Sequence, residues 1–259
     1  LFLTFVNMGN PLAGCFLETD ALDRGAQHME AALEAFRILG DRRAEARVLH
    51  NLGYSVRFVR GDFRAALRME EEAVRICEAL GDVSTLGVCL IGLGHLRLVM
   101  GQHEEAMVAL ERLLRLCEEW QAEPGRAYAL VLMADTCREQ GDRSRARLLY
   151  EEALTLGERL EEPTVRLHSL IGLALLLRRD DAAGARALAG RALALAQQLK
   201  SEWFRGRSLV ALGVIIGGGQ GEDGATHLLE AVHIFEHLRA QYDLARAHPD
   251  IRDCVSRID

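Results

Sequence analysis

Lysine is almost absent from this sequence, since Lys200 stands alone beside thirty arginines. That imbalance is typical of coding bias in a GC-rich bacterial genome. Proline occupies four positions and aromatic residues make up only 5% of the chain, while Ala, Leu, Arg and Glu are abundant. These abundant residues lose little rotamer freedom in a helix. The composition therefore predicts an all-α fold and disfavours an all-β or disordered chain.

Long apolar runs and closely paired cysteines are also missing. No stretch of about 18 apolar residues lacks a charge, so no segment is expected to span a bilayer. None of the six cysteines forms a Cys-x-x-Cys pair, which favours reduced thiols that pack as small hydrophobes in a cytoplasmic protein. The net charge of −7 argues against direct contact with nucleic acid. Because the first residue is Leu rather than Met, the chain is expected to be a fragment of a longer protein.

The dipeptide Gly-Asp recurs at 40–41, 61–62, 81–82 and 141–142. Glycine adopts the left-handed conformation that ends one helix, and aspartate caps the free N–H groups of the next helix. Stops about 20 residues apart leave room for helices of roughly 16–18 residues joined by very short turns. Neighbouring helices are therefore expected to be antiparallel hairpins.

Two columns of small residues fix the repeat register, because small side chains let neighbouring helix backbones approach closely. In the second helix of each hairpin the column is Ala32, Ala73, Leu113, Ala153, Ala192 and Ala231, where Leu113 is the exception. In the first helix it is Gly14, Gly53, Gly94, Ala134, Ala174 and Gly213. The predicted repeats are 1–39, 42–80, 83–120, 123–160, 163–199 and 202–238, with a half-unit at 241–259. They form a single predicted domain over 1–259.

These columns resemble the tetratricopeptide repeat, as in LGYSVRFVRGDFRAALRMEEEAV at 52–74. That family's unit is about 34 residues long, whereas this unit is about 40. Long units resemble the helical arms of bacterial signal-transduction ATPases with numerous domains, including LuxR-type regulators related to the maltose-regulon activator. The resemblance implies a right-handed superhelical α-α solenoid of about six hairpins. It also implies a protein- or peptide-binding scaffold or sensor arm in a transcription or signal-transduction regulator, without enzymatic activity.

The resemblance further implies that first helices line a concave groove, at four positions around the small residue of each helix. First helices carry a summed charge of +8 and second helices −7, so the groove wall is expected to be basic. This favours an acidic peptide or another anion. Apolar groove positions such as Val88 and Ile91 suit a partner with hydrophobic anchors equally well, and a small-molecule effector stays open. The candidate groove residues are Arg47, His50, Tyr54, Arg57, His95, Tyr128, Asp135, Arg138, His168, Arg178 and Arg207.

Two motifs resemble catalytic signatures. The sequence from His233 to His237 matches H-x-x-E-H, the inverted zincin pattern, but no third ligand stands at a suitable spacing. A metal-dependent enzyme is therefore the remote alternative. The glycine-rich run at 217–221 lacks the Lys-Ser/Thr of a phosphate-binding loop and is interpreted as a turn. No catalytic residue, resident metal or cofactor is predicted.

A second alternative is self-assembly or domain docking without a groove ligand. Terminal repeats of a solenoid need a polar cap, yet residues 1–8 are apolar. This N-terminal end could form a homodimer or cover a neighbouring domain. At the other end, His248-Pro249-Asp250 predicts a helix break within the last half-unit, because proline removes a backbone donor.

Overall fold

The computed structural model describes residues 19–53, 61–217, 222–238 and 243, and those residues contain helices and turns but no strand. The helices of the first three repeats are α1 (Thr19–Leu39), α2 (Arg42–His50), α3 (Phe63–Leu80), α4 (Val83–Val99) and α5 (His103–Glu119). The next are α6 (Glu123–Glu139), α7 (Arg143–Arg159), α8 (Pro163–Leu177), α9 (Ala182–Gln198), α10 (Glu202–Gly217) and α11 (Glu222–His237). Residues 51–53 extend α2 as a π turn. Within the described ranges, no helix has both the length and the apolar character needed to cross a membrane.

Helix packing follows the order of the chain in each of two compact units, 1–136 and 137–259. In the first unit, α1 to α5 pack each on the next, and α2 also contacts α4. In the second unit, α7 to α11 do the same, and α8 also contacts α10. Consecutive packing of antiparallel helices is the arrangement of an α-solenoid. The predicted all-α hairpin fold is confirmed for the described residues, whereas the first helix of repeat one and the half-unit at 241–259, apart from Asp243, lie outside them.

The turns contain the predicted left-handed glycines and capping aspartates. The glycines at 40, 61, 81, 101 and 141 have φ between 63° and 83°, which is the left-handed region. Asp41, Asp62, Asp82, Asp142 and Asp181 each accept a hydrogen bond from the backbone N–H three residues on, at 2.9–3.2 Å. Three turns between repeats have no glycine, and there Gln121, Glu161 and Lys200 adopt left-handed φ values of 51–53°.

The two helices of a hairpin differ in how much of their surface is buried. Second helices bury one face, which contains the predicted small-residue column with Ala73, Leu113 and Ala153 fully buried. First helices such as α4 and α8 are buried on almost all faces. In α4 and α8, a minority of the residues therefore contacts solvent.

Ion pairs join consecutive second helices on the exposed side. Arg37 of α1 pairs with Glu72 of α3 at 2.9 Å, and Arg112 of α5 pairs with Glu78 of α3. In the second unit, Arg191 of α9 pairs with Glu158 of α7 at 3.3 Å. These pairs are partly exposed, so each contributes at most about 1 kcal/mol to stability.

Candidate functional site: the exposed strip of the first helices

The solvent-accessible strip is clearest in α10. Arg207, Val210, Val214 and Gly217 are half-buried there, while residues between them such as Ser208 and Leu212 are buried. These four residues are the predicted groove positions of that helix, and Glu202, Arg205 and Ile216 are half-buried as well. We call the half-buried or exposed residues at these positions in every first helix the first-helix stripe.

In the first unit, some groove positions are accessible to solvent and others are buried. Arg47 is exposed, Ile91 and His95 are half-buried, and Asp135 is half-buried. Buried groove positions are Val88, Leu98, Tyr128 and Val131. Tyr54 and Arg57 lie outside the described residues. The stripe of this unit thus combines one exposed cation with apolar and acidic groups.

In the second unit the stripe contains His168, Leu175, Arg178 and Arg207, all half-buried. Arg138 is half-buried as well, and its Nε donates a hydrogen bond to the Tyr150 hydroxyl at 3.2 Å. Arg138 also pairs with Glu139 at 3.0 Å. Its guanidinium is therefore held by neighbours on α6 and α7.

His168 and Arg207, from consecutive first helices, contact each other. The Arg207 Nη1 lies 3.1 Å from His168 Nδ1, and since arginine can only donate, His168 accepts at Nδ1 and carries its ring proton on Nε2. The Arg207 guanidinium also lies 4.8 Å from the centre of the Trp203 ring, a cation–π distance. Trp203 itself donates from Nε1 to Asp243 at 2.8 Å. This aromatic-basic cluster fixes Arg207 in place.

Sequence reasoning missed Trp203 because its position lies outside the four groove positions. The available signal was an aromatic pair, Trp203-Phe204, in the first turn of a helix in a chain with few aromatics. In the structure Phe204 meets the His168 ring edge-on at a centroid distance of 5.0 Å.

His50 is placed in the core rather than on the stripe. Its Nδ1 lies 2.9 and 3.1 Å from the two carboxylate oxygens of Glu70 on α3, and both side chains are buried. Burial raises the pKa of Glu70, and the nearby imidazole opposes that rise. The thiol of Cys89 on α4 completes a group whose ligand atoms all lie within 4.8 Å of one another.

The sequence pattern did not reveal this polar group, since its members come from three helices about 20 residues apart. One signal was present. Glu70 stands in a second-helix column that is otherwise filled by Met29, Leu110, Tyr150, Ala189 and Leu228, of which all but the half-buried Met29 are buried.

The H-x-x-E-H residues form no comparable group. His233, Glu236 and His237 are exposed on α11, whereas Phe235 between them is buried. Among the described residues, only His50, Glu70 and Cys89 bring three potential metal-ligand side chains together.

Two surface cavities were not predicted from the sequence. One of about 500 Å³ lies between α3, α4 and α5 and is lined by Glu71, Arg75, Arg97 and Arg112 over an apolar floor. Another, of about 470 Å³, is mostly apolar and is bordered by Trp120, whose surface is 61% exposed. Both lie in the first unit, away from the stripe positions.

The sequence matches the family model of the tetratricopeptide repeat over residues 4–79 and 87–159, which is more than half of the chain. The chain therefore belongs to the tetratricopeptide repeat family. Arrays of such repeats are protein-interaction scaffolds whose stacked units present extended binding surfaces.

Solved structures share this fold. A Rap protein complexed with Competence and Sporulation Factor is similar at a TM-score of 0.69 with 13% identity, and the alignment covers 99% of this chain and 73% of that one. The apo form of RapI gives 0.64 with 12% identity, over 88% and 90% of the two chains. BtubC (BKLC) from P. vanneervenii gives 0.61 with 22% identity, over 91% and 92%. Among curated proteins, none matches the sequence.

Proposed function

We propose that this chain binds a protein or peptide along the first-helix stripe and serves as the sensor or scaffold arm of a cytoplasmic bacterial regulator. The observation that carries the proposal is the burial pattern of the first helices. These helices are buried on most of their surface, and the solvent-accessible part that remains includes three of the four groove positions of α8 and all four of α10. A partner that binds the array could cover this part of the surface.

The residues of the stripe indicate a partner with both apolar anchors and acidic groups. Leu175, Val210 and Val214 supply half-buried apolar surface in the second unit. Arg178 and Arg207 flank them with guanidinium groups, which bind carboxylates in a bidentate manner. The structural neighbour that was solved in complex with Competence and Sporulation Factor supports the idea of a bound factor. A partner that favours one packing of the hairpins would shift the equilibrium of the array and so influence a module attached to it.

The test compares charge reversal on the stripe with charge reversal elsewhere. The stripe variant carries Arg47→Glu and Arg178→Glu, while the control carries Arg68→Glu and Arg186→Glu, which are exposed arginines of second helices. Both variants change the net charge equally, so non-specific electrostatic effects are matched. Binding is measured on a displayed peptide library and on bacterial lysate, with cross-links mapped by mass spectrometry.

Loss of the selected partner from the stripe variant, with retention by the control, is the expected result. Cross-links should fall on α8 and α10. Equal binding by both variants, or cross-links confined to second helices, would refute the stripe as the binding surface. Thermal melting of both variants checks that neither loses the fold.

A further inference from the structure

Three helices of the first unit bring chemically different side chains to one buried point. His50 ends α2, Glu70 lies in the middle of α3, and Cys89 lies in the middle of α4. All three are at most 4% exposed. The imidazole Nδ1, a carboxylate oxygen and the thiol sulfur lie within 4.8 Å of one another. Nitrogen, oxygen and sulfur donors from two successive repeats thus converge in the core.

A second thiol adjoins this group. Cys77 of α3 is buried, and the Cys89 thiol donates a hydrogen bond to its sulfur, which raises the pKa of Cys89. Cys77 is not among the three side chains whose ligand atoms lie within 4.8 Å of one another, so it lies beside the donor set rather than in it.

A glycine of the next helix makes room for the carboxylate. A Cβ atom on Gly92 of α4 would lie 2.8 Å from the Glu70 Oε1, so glycine is needed beside this side chain. The same column position holds Leu110 in the next hairpin, where the core is apolar. Burying a carboxylate in place of leucine is unfavourable unless a partner compensates its charge.

The set of donors is that of a zinc ion. Zinc takes cysteine sulfur, histidine nitrogen and carboxylate oxygen in a tetrahedron with bonds of about 2.0–2.3 Å. Such bonds place ligand atoms about 3.5 Å apart. The three ligand atoms would therefore have to move by about an ångström to coordinate one ion. Thiolates select zinc over magnesium or calcium, which prefer oxygen donors alone.

We propose that His50, Glu70 and Cys89 bind one Zn²⁺ ion that ties α2, α3 and α4 together, with a water molecule as the fourth ligand. The imidazole binds through Nδ1, and the Cys89 thiol releases its proton to solvent as the metal enters. No oxidation or reduction is involved. Because the three side chains are buried, the ion enters while the hairpins fold, and binding contributes directly to folding.

The experiment measures zinc in the full chain, purified under reducing conditions. Every protein in the series carries His233→Ala and His237→Ala, so that the exposed H-x-x-E-H residues cannot bind zinc. Metal content after dialysis is measured by plasma mass spectrometry. Replacement of zinc by Co²⁺ reports thiolate ligation through sulfur-to-cobalt charge-transfer absorption.

Three further variants make the test specific. Cys89→Ser removes one ligand. The pair His50→Ile and Glu70→Leu installs the residues that occupy the same positions in the next repeat, Ile91 and Leu110, so the hairpin is expected to remain folded. Cys117→Ser is the matched control, because Cys117 is a buried cysteine of the same unit that lies outside the donor set.

One zinc per chain and the cobalt–thiolate band are expected for the parent and for Cys117→Ser. Cys89→Ser and the His50→Ile/Glu70→Leu pair should lose more than about 100-fold in zinc affinity, since even changes behind the ligands cost about 10–100-fold. Zinc should also raise the melting temperature of the parent but not of the pair variant. Equal zinc content in the parent and the folded pair variant, or cobalt binding without the thiolate band, would overturn the proposal.

Discussion

Gly172 of α8 faces the ring of Tyr150 on α7 so closely that a Cβ atom at residue 172 would lie 2.3 Å from the tyrosine Cζ. Tyr150 is fully buried. The same relationship recurs between Gly206 and Phe235, where the corresponding distance is 2.7 Å. Glycines in first helices thus provide the space for the largest side chains of second helices.

Gly172→Ala is expected to destabilise the protein by about 2 kcal/mol, because the added methyl group overlaps a ring that the core holds in place. Chemical denaturation of both proteins, followed by circular dichroism, measures the change. The loss should shrink when Tyr150→Leu is introduced into both proteins, since the overlap is then relieved.

Gly190→Ala is the matched control for that substitution. Gly190 lies inside α9, and a Cβ atom there would meet nothing within 4 Å. Alanine is a better helix former than glycine by up to about 1 kcal/mol, so this variant should be more stable than the wild type. A destabilised Gly190→Ala would show that the cost at residue 172 is not specific to the contact with Tyr150.

Lys200→Gly should stabilise the protein by about 0.5–1 kcal/mol. Lys200 has φ of 53°, and a left-handed residue with a Cβ atom costs about 1–2 kcal/mol, which exceeds the extra chain entropy that glycine loses on folding. The backbone bonds of the turn, including Ser201 N–H to the Ala196 carbonyl at 2.9 Å, need no side chain. Denaturant midpoints of the two proteins provide the measurement.

Gly81→Ala tests the same cost of a Cβ atom at a left-handed φ, but here the substitution should lower stability rather than raise it. Gly81 ends α3 with φ of 63° and has open space around it. The substitution should therefore destabilise by about 1 kcal/mol through backbone strain alone. If both substitutions shift stability in the same direction, conformational strain does not govern these turns.

Ser169→Ala should stabilise the protein by about 1 kcal/mol. The Ser169 hydroxyl is buried and has no hydrogen-bond partner, and an unsatisfied buried hydroxyl costs about 1–3 kcal/mol. Ser208 occupies the equivalent position in the next repeat, but it donates to the Phe204 carbonyl at 2.8 Å. Ser208→Ala should instead lose about 1 kcal/mol. Unfolding free energies that move together in the two variants would contradict this account.

Cys117 makes stability depend on pH above about 9. Burial raises its pKa from 9.0 to about 11, so the folded protein keeps a proton that the unfolded chain releases. This stabilisation is complete below pH 9 and is lost as the pH rises to about 11. The unfolding free energy of the wild type, relative to Cys117→Val, should fall by on the order of 2 kcal/mol across that range. A constant difference between the two proteins would refute the shift.

The sequence was sufficient to predict the hairpins and most turns. The left-handed glycines and the capping aspartates act within a few residues of one another, so local chemistry determines them. The small-residue columns also follow directly from helical periodicity, and Ala73 and Leu113 are buried as their column requires.

Other features depend on contacts that no short pattern encodes. Gln121 adopts a left-handed φ of 51° in its turn although its own preference for that conformation is unfavourable. The contact of Trp203 with Asp243 joins residues 40 positions apart. The placement of His50 in the core results from the carboxylate of Glu70, which a groove template derived from other repeats does not contain.

The fit of Glu70 against Gly92 also distinguishes the junction of the second and third repeats from other junctions during assembly. Repeats with nearly interchangeable apolar faces can associate in the wrong order or between two molecules. If the fourth repeat took the place of the third, Leu132 would lie where Gly92 lies, and its side chain would overlap the Glu70 carboxylate. Overpacking of this kind costs about 1–3 kcal/mol. One glycine matched to a buried carboxylate of the preceding repeat thus favours the native order of hairpins over this misassembled alternative.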